Sequence, residues 1–227
     1  MSPFSQKKVR KKIGGIVFYS SLLSLMFVAP FHLRLLYELL DASSIKNLCY
    51  FGAGVAVGAW LPTIFIHGHL NVLLHEVKHS VVSGLVGNRA LGMRIKKDHG
   101  HFRYSYTSET APYNAFISLA PYWFPLISTP CILLAIALLG DEDIIIRVIL
   151  GFGAGADLTL NIRDIAEHQT DFSDIRGGYQ IGLIYVVAMN TVLLSILLAW
   201  IMQHSFGFKY LLDGWWALGQ AVFNLFS

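Results

Sequence analysis

Five consecutive residues, His75-Glu76-Val77-Lys78-His79, have the types and spacing of a metal-hydrolase motif, HExxH. On an α-helix, positions i and i+4 lie one turn apart on the same face, so the two imidazoles can grip a single divalent cation. The glutamate beside the first histidine is then placed to act as general base toward water that the cation activates. Such an ion can bring the pKa of water down to about 7, which makes hydroxide available at neutral pH. In a chain with nine histidines and five glutamates in 227 residues, the product of residue frequencies gives this pattern by chance about 0.008 times. The setting adds weight. His67, His69 and Lys78 share the same apolar stretch, and each ionisable group at membrane depth costs about 2.5–3.5 kcal/mol on insertion scales. A helix so loaded must line a polar cavity, or else satisfy its polar groups by hydrogen bonds to neighbouring helices.

A catalytic zinc site takes three protein ligands plus water, so a third ligand must come from elsewhere in the chain. One polar stretch beside an apolar segment is rich enough to supply it: residues 157–174, with Asp157, Asn161, Asp164, Glu167, His168, Asp171 and Asp174. Most of these suit a solvated loop. One of them is expected to close the coordination shell.

The elements that must carry these residues follow from composition. Apolar residues make up 55% of the chain and charged residues 14%, with a mean hydropathy of +0.55. That is too little polar surface for a soluble domain, whose charged share is about 25%. Cys49 and Cys131 both lie in apolar runs and read as packing residues rather than a disulfide framework. The net charge of +3 gives no footprint for nucleic acid. We therefore expect an all-α polytopic membrane protein forming a single domain over 1–227, set in the lipid bilayer as a multi-pass protein of the bacterial cytoplasmic type. About six transmembrane helices are expected, near 13–30, 45–62, 63–87, 111–139, 144–162 and 179–203, with an interfacial tail at 204–227. The first is read as a retained helix rather than a cleaved signal peptide, because residues 28–30 make a poor cleavage site. Residues 31–47 read as an interfacial connection. Pro62 is the natural break in the long apolar run 48–87, and Gly52, Gly54 and Gly58 would permit close helix contact. Alternation around Leu91, Met93 and Ile95, the turn Asp98-His99-Gly100, and the β-prone stretch 102–106 predict a short hairpin near the membrane surface, at 88–107. The basic cluster at residues 7–12 argues for a cytoplasmic N-terminus, yet tight crossings at 45–62 and 63–87 would place the basic hairpin outside. The two signals conflict.

HEVKH in an apolar helix, then a β-prone segment, then an Asn-to-Asp stretch before another span, resembles the site-2 protease family of intramembrane zinc metalloproteases. The resemblance implies His75 and His79 as zinc ligands, Glu76 as the catalytic base, and one Zn2+ per chain. It implies Asp171, after Asn161 and ahead of the 179–203 span, as the third ligand. Asp157 and His168 are the rivals for that place. Asn161 would orient the aspartate, hold a substrate carbonyl or cap a loop. The chain departs from the family in having no proline after Asn161, Phe172 directly after Asp171, and Val77 and Lys78 inside the motif. The implied activity is hydrolysis of peptide bonds in membrane-spanning or membrane-proximal substrates, with an extended substrate strand adding to the hairpin. Two other classes remain to be weighed. One is a non-proteolytic metal-binding membrane protein, either an ion transporter or an inactive peptidase-like substrate binder. The other is a di-iron oxidase, disfavoured because the chain has no adjacent His-His pair.

Overall fold

The computed structural model describes residues 12–41, 45–138, 143–165, 169–203 and 205–226. Among them the chain is mostly helical with one two-stranded sheet. In order, the elements are α1 (Ile16–Asp41), α2 (Ile45–Phe65), α3 (His69–Leu85), β1 (Arg89–Ile95), β2 (Gly100–Ser105), α4 (Asn114–Leu119), α5 (Ser128–Ala137), α6 (Asp143–Arg163), α7 (Thr170–Ser173), α8 (Gly178–Gln203) and α9 (Ser205–Phe226). Single 3₁₀ turns at Ala111–Tyr113 and Ala120–Tyr122 flank α4.

Four helical segments are long and apolar enough to cross a membrane: Ile16–Glu38, Ile45–Phe65, Ile144–Arg163 and Gly178–Ile201. Much of their apolar surface is not covered by protein; Phe27, Trp60, Phe65 and Val187 are exposed, as suits helices facing lipid. Two expected spans take a different form. The 63–87 segment becomes α3, whose 17 residues reach about 25 Å, short of a core about 30 Å thick. The 111–139 segment is divided, because Pro112 and Pro121 can each enter only the first turn of a helix. What remains is two 3₁₀ turns, the short α4, and the ten-residue α5 with Pro130 in its first turn.

Two predicted boundaries also move. Pro62 lies inside α2 rather than at its end. The break comes at Gly68, whose φ of 52° and ψ of −126° belong to a region open only to glycine. The guanidinium of Arg163 donates to carbonyls in the last turn of α2 and just past it, reaching Pro62 O at 3.3 Å and Ile66 O at 2.8 Å. Helix α1 does not stop at Pro30 but runs on to Asp41, so 31–41 is helix rather than connection. His32 and Leu35 on that extension are buried.

Glycines set the central contact. A Cβ on Gly54 would lie 2.3 Å from Val148 O, and one on Gly58 would lie 2.0 Å from Phe152 O. From the other side, a Cβ on Gly151 would clash with Phe51 O and one on Gly155 with Val55 O. Gly54 and Gly58 therefore do what the sequence predicts, whereas Gly52 touches nothing. The contacting numbers rise together on both helices, so α2 and α6 run parallel. By the same reasoning α1 and α8 are parallel, with Phe18 against Tyr185 (ring centroids 5.3 Å apart) and His32 against Ser195. Parallel α2 and α6 require the chain between them to recross. α3 and α5 make that return in two short pieces.

One end of the bundle thus gathers the starts of α1 and α8 and the ends of α2 and α6. The hairpin folds over this end: Gly68 lies 3.7 Å from Cγ of Lys97 when given a Cβ. β1 and β2 pair antiparallel from Arg89↔Ser105 to Ile95↔Gly100, with a bulge between Ala90 and Gly92.

Candidate metal centre

The HEVKH motif sits at the middle of α3, and its face is turned toward α7. His75 and His79 stand with ring centroids 5.1 Å apart. Nε2 of His75 lies 3.1 Å from Oδ2 of Asp171, and Nε2 of His79 lies 3.5 Å from the same oxygen. Four donors around a zinc ion, each at about 2.0–2.1 Å, would stand about 3.3 Å apart. The two observed separations straddle that edge length. Each imidazole is tied at its other nitrogen: Nδ1 of His79 donates to Ile117 O at 2.7 Å, and Nδ1 of His75 faces Oδ2 of Asp164 at 3.3 Å. That leaves both Nε2 atoms free to ligate. Among the described residues, His75, His79 and Asp171 are the group that could hold a metal ion.

Asp171 is placed by its neighbours. A four-residue helix has too few internal bonds to hold itself. Phe172, the residue at odds with the family pattern, is fully buried against Tyr122 and Tyr179. The hydroxyl of Ser118 donates to Asp171 O at 3.1 Å, and that of Tyr122 donates to Oδ2 at 3.0 Å. Burial alone would raise the Asp171 carboxyl; the imidazoles of His79 and His75 outweigh it and hold the group well below the usual carboxylate range. In Asp164 the same opposition is won by hydrogen bonds from His75 and Asn71, which also lower it.

Glu76 is buried, makes no hydrogen bond to another described residue, and faces a polar cavity of about 640 Å³. The cavity is walled by α3, by the α7 region, and by residues 98–102, 104 and 106, with no residue of β1. Gly100 is what lets β2 approach: a Cβ there would lie 2.5 Å from Oε1 of Glu76 and 2.7 Å from Cγ1 of Val72. His99 and His101 are exposed at the rim of this cavity.

Asp157, the first rival for the third ligand, is engaged elsewhere. Its carboxylate accepts the N–H groups of Ile127 and Ser128 at 3.0 and 2.6 Å, at the start of α5. It also lies 3.8 Å from Nζ of Lys78. Lys78 is buried, donating to Asn161 Oδ1 at 2.5 Å and to Pro121 O at 3.3 Å. Asn161 thus lies inside α6, holding Lys78 and Asn190, and neither caps a loop nor faces the cavity. His168, the second rival, lies outside the described residues. Cys49 is exposed on α2 rather than packed.

The sequence offers Asp164 only as one member of the polar stretch 157–174 and Gly100 only as part of the hairpin turn, and assigns Asn71 and Tyr122 no place in the site. Comparison of the chain with protein-family models, with curated proteins and with solved structures finds no match.

Proposed function

We propose that the chain is a multi-pass intramembrane zinc metalloprotease that hydrolyses peptide bonds of membrane-spanning or membrane-proximal substrates. The observation that carries this reading is the convergence of both HExxH imidazoles on one carboxylate oxygen, with an unpaired glutamate beside them in a polar cavity. The donor set, two neutral nitrogens and one carboxylate with room for water, suits zinc in an open site. When bound there, zinc would polarise a carbonyl and acidify water. Glu76 takes the proton from the attacking water and returns it to the leaving amine, a transfer that its position within the cavity allows. His75, His79 and Asp171 hold the ion.

The hairpin supplies the place for substrate. The bond from Lys96 N–H to His99 O at 2.9 Å fixes the alternation of the ladder. Residues 101 and 103 therefore point their backbone groups at β1, and Gly100, Phe102 and Tyr104, which line the cavity, point theirs away from β1 at the open edge of β2. An extended peptide can pair with that edge, which exposes the bond a helix would hide. Lys12, Arg94, Lys96, Lys97 and Arg103 gather at this same end, so the positive-inside rule puts the site at the cytoplasmic face. On this reading α3 and α5 share one crossing, which leaves the basic N-terminus and the basic hairpin on the same side.

The test uses purified full-length protein in detergent with a fluorogenic peptide drawn from an apolar helix boundary. Glu76→Gln should remove turnover and keep about one zinc per chain, whereas His75→Ala should lose both. A Glu76→Gln protein that cleaves as well as the parent would exclude the mechanism. Metal-dependent ion flux without cleavage would favour a transporter.

A further inference from the structure

The assigned ligands leave a second carboxylate unexplained beside the site. Asp164 follows the last residue of α6, and its Oδ2 lies 3.3 Å from Nδ1 of His75. Asp171 sits on the other edge of the same ring, at Nε2. A single ion cannot use both edges, so Asp164 is not a ligand in this arrangement. Its other oxygen, Oδ1, accepts the side-chain amide of Asn71 at 3.0 Å. The carbonyl oxygen of Asn71 is in turn taken by Arg163. That contact fixes which end of the amide faces Asp164, since an amide has one acceptor end and one donor end. Arg163 is anchored on the carbonyls that end α2. The chain of contacts therefore runs from the end of α2, through Arg163, Asn71 and Asp164, to the imidazole of His75.

We infer that Asp164, oriented by Asn71 and Arg163, is the positioning residue of the metal centre: it holds His75 with its proton on Nδ1 and Nε2 turned to the ion. This rests on reading His75, His79 and Asp171 as the metal site. The two histidines are then supported unequally. His79 gives its proton to a neutral backbone carbonyl, that of Ile117, while His75 gives its proton to an anion. A carboxylate partner makes an imidazole the more basic ligand, so His75 is the stronger of the pair. Loss of such an outer partner weakens metal binding by about 10–100-fold.

The experiment uses full-length protein in detergent, with zinc affinity from chelator competition and the visible ligand-field spectrum of the cobalt(II) form. Asp164→Ala is expected to weaken zinc by about 10–100-fold, and Asn71→Leu by less. Asp164→Asn keeps the shape of the side chain and serves if the alanine variant does not fold. At saturating cobalt it should shift the ligand-field bands, a change that loss of fold or of occupancy would not produce, since those reduce only intensity. Parental affinity and an unshifted spectrum in all three variants would overturn the proposal. So would X-ray absorption showing one fewer protein donor in Asp164→Asn, which would make Asp164 a ligand. His75→Ala and His79→Ala separate the two levels. If they bind zinc as tightly as the parent, the metal site itself is misread. If they release it while Asp164 variants behave as the parent, only the positioning role fails.

Discussion

A methyl group on Gly100 would lie 2.5 Å from Oε1 of Glu76, so the start of β2 rests directly on the carboxylate read as the general base. No other residue type lets the strand come so close. Gly100→Ala must lift β2 or turn Glu76 aside, yet it touches none of the three ligands. We expect full zinc content with peptide cleavage lowered by about tenfold or more, since small misplacements of reacting groups are costly. Equal loss of zinc and activity would show that the strand supports the metal rather than the base.

Asp157 and Asp171 offer a clean contrast. Asp171→Ala should release the ion without unfolding the bundle, because the Asp171 side chain is held by site residues alone. Asp157→Asn should keep the ion and lose stability. It removes the partner of a buried lysine whose side chain is 2% exposed. Breaking a buried pair in this way costs about 3–5 kcal/mol. Differential scanning fluorimetry of the zinc-loaded proteins reads both effects. Replacing Lys78 by Met in the Asp157→Asn background should recover part of the loss, because no charge is then left stranded.

How far the sequence foretold this arrangement depends on the range of the contacts involved. HEVKH was legible because its logic is local, one helical turn, and the hairpin was legible from alternation around a polar turn. Asp171 could be placed by the order of elements but not separated from Asp157; what separates them is the pairing of Asp157 with α5 and Lys78, contacts between residues far apart in sequence. Asp164 and Tyr122 meet their partners across 89 and 49 residues, beyond any periodicity. Pro62 misled because a proline in the last turn of a helix costs one hydrogen bond, whereas the conformation of Gly68 ends the helix outright. The run 111–139 misled because hydropathy counts apolar residues and does not see that successive prolines divide them.

The parallel pairing of α1 with α8 puts residue 12 and the hairpin turn at one end of the bundle, and the end of α1 at the other. Single cysteines at 12, 97 and 41, in a background with Cys49 and Cys131 replaced by Ala, should show this in oriented vesicles. A membrane-impermeant maleimide is expected to label 12 and 97 from the same side and 41 from the opposite one. Labelling of 12 and 97 from opposite sides would contradict the helix directions and the shared crossing of α3 and α5.

The N-terminal segment reaches the site through its backbone. Ile13 N–H donates to Asp174 O at 2.8 Å, and Arg176 N–H returns a bond to Ile13 O at 2.8 Å, forming a one-residue parallel bridge to Ile175. The hydroxyl of Tyr19 closes the same loop by donating to Arg176 O at 2.6 Å. Asp171 lies four residues before Ile175, on a helix too short to keep its own position. Ile13→Pro removes one donor and turns the segment out of its bridge. With each backbone bond contributing about 1 kcal/mol net, loss of both should lower the population of the correctly placed Asp171 by a factor of roughly 5–30. The expected result is faster zinc release, measured by transfer to a coloured chelator, together with new proteolytic nicking between residues 163 and 178. Unchanged release with unchanged protection would mean that Phe172 and Ser118 hold α7 without help from the N-terminal segment.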